Sequence, residues 1–200
     1  MKPRTPHSTP RRSPPAAVRI IGGTHKRSLL PVLDAQGLRP TGDRVRETLF
    51  NWLGQDLSGM RCLDAFAGSG ALGFEAASRG AREVLLVEQA APLVSSLQTT
   101  VTRLKFDAVR VERGDALAAL RREHDQAWDV VFLDPPFAWG EGGLVEDALR
   151  AAVQASASDG LCYLEAPAAW GDERLAALGW RTRKVGKAGA VHFHLLERLS

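Results

Sequence analysis

A chain of 200 residues, 44% hydrophobic and 24% charged, is long enough to bury a core, and no stretch approaches the roughly 20 apolar residues of a membrane span. Two cysteines, Cys62 and Cys162, lie far apart without a C-x-x-C, which excludes a disulfide framework and a zinc knuckle and reads as buried thiols in a reducing cytoplasm. The net charge of +3 divides unevenly: residues 1–50 hold ten Lys and Arg against three Asp and Glu, a net +7, and the remainder nets −4, so a polyanionic partner is expected at the basic front.

The leader "MKPRTPHSTPRRSPPAAV" has charge but no apolar h-region, so it is no secretory signal. Five prolines within residues 1–15 deny it a helix or a ladder, and a flexible arm is expected over 1–17. "VRIIGG" and "SLLPVL" then read as two short strands about a basic turn at Thr24–Arg27. In "RPTGDRVRETLFNWL" Val45, Leu49 and Leu53 recur at i, i+4 and i+8, which predicts a helix beginning after Thr41–Asp43. Residues 18–55 thus form a basic hairpin-and-helix extension, and 56–200 the main body.

From residue 60 short apolar runs, "MRCLDAF", "EVLLVE", "AVRVE", "WDVVFLD" and "GLCYLEA", alternate with helical stretches near 70–79, 91–105, 116–123, 142–156 and 171–178. Such alternation means βαβ units and a parallel sheet. "WRTRKV" and "AVHFHLLE", joined by "GKAG", leave no room for a helix and must pair antiparallel. The predicted architecture is an α/β fold, an open parallel sheet closed by an antiparallel hairpin.

"LDAFAGSGALGFEAASRG" contains G-x-G-x-x-G at Gly68, Gly70 and Gly73, the spacing of a dinucleotide-binding turn. Ligands of open α/β sheets collect at the carboxyl ends of strands, and four consecutive strand ends carry Asp64, Glu88, Asp115 and Asp134. Glu88 can accept both hydroxyls of a ribose and Asp115 an adenine amine, which suits NAD and S-adenosylmethionine alike. Asp64 separates them. A carboxylate beside the glycine turn opposes a pyrophosphate and suits a cationic sulfonium cofactor. "DPPF" then indicates the reaction: Asp134 and the Pro135 carbonyl offer two acceptors to an exocyclic amine, and Phe137 offers a face for its base.

With "VLLVE" and "FLDPPF", that glycine block resembles the motifs of amino-group methyltransferases; with "RIIGG" and "RPTGDRVRETLFNWL", the chain from about Arg19 onward resembles the RsmD-type guanine-N2 methyltransferases of small-subunit ribosomal RNA. The resemblance implies a seven-stranded class I methyltransferase fold, S-adenosylmethionine as donor, and a guanine of 16S rRNA in the small subunit as acceptor; a monomeric, cytoplasmic enzyme without a metal is expected. By position, Asp64, Phe66, Gly68 and Gly70 would contact the cofactor together with Glu88, Asp115 and Ala116. Asp134, Pro135 and Phe137 would be catalytic. Arg19, Lys26, Arg27, Arg39, Arg44 and Arg46 would form a phosphate-facing surface. Two features depart from the family pattern: "LQTTV" stands where an Asn is usual, and the proline-rich leader is an extension. Rival readings are a DNA adenine-N6 or protein glutamine methyltransferase, a non-catalytic RNA-binding assembly factor, and an NAD dehydrogenase. His192 and His194 are expected in structural or exposed roles, and the five tryptophans in packing, with Trp139 a second wall for the base. His25 is unassigned.

Overall fold

The computed structural model describes residues 17–33, 42–136 and 143–199. Arg39, Phe137 and Trp139, and the expected arm up to residue 16, lie outside the described residues. A two-stranded antiparallel sheet, β1 (Ala17–Arg19) and β2 (Leu29–Pro31), precedes α1 (Asp43–Trp52). The main sheet follows: β3 (Arg61–Asp64), α2 (Ala71–Ser78), β4 (Glu83–Glu88), α3 (Ala91–Leu104), β5 (Val109–Arg113), α4 (Ala116–Arg122), β6 (Trp128–Leu133), α5 (Leu144–Ala155) and β7 (Ser156–Ala166). The chain closes with α6 (Asp172–Ala176), β8 (Trp180–Ala188) and β9 (Val191–Arg198).

Seven strands lie in the order β5-β4-β3-β6-β7-β9-β8. The first five are parallel; β9 runs antiparallel between β7 and β8. The order reverses between β3 and β6, which opens a crevice at their carboxyl ends. β6, "WDVVFL", has only Asp129 short of full burial, as a central strand covered on both faces requires. On one face Val84, Leu86, Val130 and Phe132 join α2, α3 and the N-terminal elements in a single core. On the other, Leu85, Val131 and Leu133 meet α4, α5 and α6. α5 shows why such a segment is helical: Val145, Ala148, Leu149 and Ala152 form one buried stripe at helical spacing.

The predicted elements are present with small shifts at their ends. The expected "GKAG" link differs more: β8 continues to Ala188, and Gly189 with Ala190 makes the turn.

The basic extension has no core of its own, since Val18, Ile20, Leu30, Leu49 and Phe50 belong to the main cluster. Glu75 of α2, fully buried, fastens it. Its Oε2 accepts from the Ile21 amide at 2.7 Å and its Oε1 from the Gly22 amide at 2.8 Å. The same carboxylate pairs with Arg46 at 3.4 Å and Arg79 at 2.8 Å. Arg46 is therefore no part of a phosphate-facing surface. Its side chain is 0% exposed, and it also donates to Asp43 at 2.7 Å and to the Arg19 carbonyl at 2.9 Å. A helix position facing a buried carboxylate draws the guanidinium inward, because each charge would be costly to bury alone. His25 finds its role here too: Nε2 donates to the Leu104 carbonyl at 2.9 Å, and the ring lies 4.1 Å from Phe106. The turn is thereby tied to the end of α3.

Candidate active site

A cavity of about 610 Å³ occupies the carboxyl ends of the central strands, within the size range of small-molecule sites. The structure brings Asp64, Phe66, Gly68, Glu88, Asp115 and Ala116 to its wall. Asp134 and Pro135 line it as well. Local turns explain how the chain gets there. Gly70, the residue before α2, has φ +78°, and a Cβ on it would fall 2.5 Å from the Phe74 ring. Gly70 is absent from the cavity wall: it makes the turn without lining the site. Gly73 lets α2 approach the sheet, since a Cβ there would lie 2.1 Å from Leu86.

The carboxylates differ in how they are held. Asp64 is 1% exposed, and its Oδ2 accepts from the Gly73 amide at 3.0 Å. Its Oδ1 is buried and makes no hydrogen bond of normal geometry. Burial pushes its carboxyl up to about 7, against the Gly73 amide, which pulls it down. Glu88 is held by two backbone donors, the Gly68 amide on Oε2 at 3.0 Å and the Ala90 amide on Oε1 at 2.8 Å. Those bonds fix its rotamer, and each oxygen keeps a second lone pair for a ligand. Asp115 caps α4 by accepting from the Ala118 amide at 2.9 Å while lining the cavity.

Residues unforeseen in the sequence complete the wall. Glu165, at the end of β7, lines the cavity and accepts from the Tyr163 hydroxyl at 2.7 Å. Burial and the charge of Glu165 push the Tyr163 hydroxyl well above its usual value, with Asp134 adding to the effect. The rule that found four acids at four strand ends finds Glu165 once carried to "GLCYLEA". Gly42 and Val45 near the start of α1, and Gly189 and Val191 of the β8–β9 hairpin, close the cavity from the other side. No local signal could have named them, because their position depends on how distant elements dock. A second recess of about 90 Å³ adjoins, walled by Pro135, Pro136, Glu165, Ala166, Trp170 and Arg174. Arg174 lies 3.7 Å over the Trp170 ring.

Of the six predicted phosphate contacts, Arg19, Lys26, Arg27 and Arg44 are exposed. Arg19 stands 3.5 Å from Asp43. Sequence reasoning missed a second cationic edge: Arg183, Lys184 and Lys187 of β8 are exposed on the outermost strand. His194 is buried and accepts from the Trp170 amide at 3.2 Å, in keeping with a structural role. Among the described residues there is no group of His, Cys, Asp and Glu suited to a metal ion, and no helix long and apolar enough to cross a membrane. Cys62 and Cys162 are buried and unpaired with one another.

Residues 18–197 match the family described as Conserved hypothetical protein 95. Ribosomal RNA small subunit methyltransferase D of Escherichia coli K12 is 38% identical over 191 residues, 94% of each chain. Its namesake in Haemophilus influenzae is 48% identical over 123 residues, covering 60% of this chain and 64% of that one. The solved structure of yhhF from Escherichia coli superposes with a TM-score of 0.77 at 34% identity, covering 92% of this chain and 99% of the other.

Proposed function

The chain belongs to the RsmD family, the one described as Conserved hypothetical protein 95, and from that premise we propose that it methylates the exocyclic N2 amine of a guanine in small-subunit rRNA, with S-adenosylmethionine as donor. The observation that carries this reading is the convergence of Glu88, Asp115 and Asp134-Pro135, from three separate strand ends, on one cavity beside the glycine turn. The Escherichia coli and Haemophilus influenzae relatives are named as rRNA methyltransferases, which favours RNA over the DNA and protein acceptors that the same motif would serve.

The cavity suits the cofactor. Asp64 presents a buried carboxylate whose Oδ1 makes no hydrogen bond of normal geometry, as a site for a cationic ligand would. Bound there, S-adenosylmethionine supplies an electrophilic methyl group on a positively charged sulfur. Glu88, already oriented by two amides, accepts from the ribose hydroxyls, and Asp115 from the adenine amine. Asp134 and the Pro135 carbonyl hold the acceptor amine. That nitrogen is a poor nucleophile while its lone pair is conjugated into the base, and two acceptors on its hydrogens favour the pyramidal form. The Asp134 carboxylate steadies the positive charge that develops on nitrogen. The exposed cations Lys26, Arg27 and Arg44 offer contacts to phosphates, and their attraction offsets the few kcal/mol needed to unstack a base.

The test is to incubate the protein with methyl-labelled cofactor and, separately, unmodified small subunits, naked rRNA and duplex DNA, then map the label. One guanine labelled in small-subunit RNA is the expected result. Label in DNA alone, or none in any acceptor, refutes the proposal.

A further inference from the structure

Glu165 stands next to the pair that the proposed reading assigns to the amine, and the following inference rests on that reading. β6 and β7 are parallel with Leu133 opposite Leu164, so one step further along each chain Asp134 and Glu165 become neighbours on strands about 4.8 Å apart. Matched positions of adjacent strands carry their side chains on the same face, and so does Tyr163, two residues before Glu165. Both carboxylates act on the Tyr163 hydroxyl, which agrees with that proximity. Glu165 is 8% exposed, oriented by the Tyr163 hydroxyl at 2.7 Å, and forms wall to both the large cavity and the adjoining recess.

An ionised carboxylate only accepts hydrogen bonds, so it reads N–H groups in a ligand. Three nucleobases carry an exocyclic amine. In adenine and cytosine the ring nitrogens flanking the amine-bearing carbon on the pairing edge are bare acceptors, which a carboxylate repels. In guanine the corresponding nitrogen, N1, carries a hydrogen. We propose that Glu165 determines the base: its carboxylate accepts from guanine N1–H while Asp134 and the Pro135 carbonyl hold the N2 amine, and it turns away any base that presents a lone pair there.

The test pairs a base analogue with an isosteric variant. 2-Aminopurine keeps the N2 amine but has an unprotonated N1. In Glu165→Gln the amide oxygen can still accept from Tyr163, and the amide N–H₂ then faces N1. Substrate RNAs with guanine or 2-aminopurine at the target position are assayed for methyl transfer, and 2-aminopurine fluorescence reports binding without turnover. Wild-type transfer to the guanine RNA is the control on the assigned reaction; its failure refutes the proposed function itself. With that control positive, the wild type should prefer guanine by about 10- to 100-fold, the worth of one charge-assisted hydrogen bond. Glu165→Gln should lose that preference and bind the 2-aminopurine RNA more tightly than the wild type does. An equal fall on both RNAs, or an unchanged preference, overturns the proposal. Tyr163→Phe, which frees Glu165 from its tether, is the second variant: its preference for guanine should narrow without reversing, and an undiminished preference counts against the role.

Discussion

Glu75 is the point at which the N-terminal extension is held to α2. Its carboxylate, fully buried, serves four donors: the half-buried Ile21 and Gly22 amides, the fully buried Arg46 and the largely buried Arg79. Glu75→Gln keeps the shape but replaces one acceptor oxygen with an N–H₂, which faces donors, and removes the charge opposite two guanidinium groups. Breaking a buried ion pair from one side costs about 3–5 kcal/mol. Arg46 retains Asp43 and the Arg19 carbonyl, so the lower end, about 3 kcal/mol, is the expectation. For a chain of this size each kcal/mol moves the melting temperature by about 2–4 °C, which gives a fall of about 6–12 °C. Differential scanning calorimetry measures it, and amide exchange at Ile21 and Gly22 should quicken beyond the global change. The control is Arg150→Ala, whose partner Asp147 is exposed at 3.1 Å; such surface pairs are worth below about 1 kcal/mol. A Glu75→Gln loss no larger than that of the control would refute the view that this cluster fastens the extension.

Asp134→Ala should lower kcat by at least about 100- to 1,000-fold and leave cofactor affinity unchanged; retained turnover would end its assignment to the amine. Glu88→Ala should weaken S-adenosylmethionine binding by about 10- to 100-fold in a calorimetric titration, and an unaltered Kd would count against the ribose contact. The Asp64 carboxyl, raised by burial to about 7, is stabilised in its protonated form in the folded chain. Its contribution to stability is whole below the ordinary carboxylate range and is lost as pH climbs toward 7. Asp64→Asn lacks this titration, so in cofactor-free protein its melting temperature relative to the wild type should rise from pH 4 to pH 7 and then level off. A difference independent of pH would show that Asp64 does not titrate there.

Local pattern determined most of the elements. Short apolar runs marked every strand, and helical spacing marked α1, because both signals lie within one element's own length. The acid at each strand end was readable for the same reason: a βα unit carries its carboxyl end at a known point in the sequence. Glu165 followed that rule and was left out only because the rule stopped one strand short. Arg46 shows the opposite case. In sequence it is one more cation in a basic run, and only the docking of α1 on α2 brings it against the buried Glu75, where two charges taken from water must meet.

Local sequence specifies the α/β alternation, the turn at Gly68–Gly73 and the carboxylates Asp64, Glu88, Asp115 and Asp134, since each depends on neighbours a few residues away. Long-range packing sets the rest: β9 enters between β7 and β8, Gly189 and Val191 thereby reach the cavity, and Glu165 stands beside Asp134. Those outcomes are set by strand order and register, which rest on contacts between segments far apart in the chain, and no stretch of sequence read alone contains them.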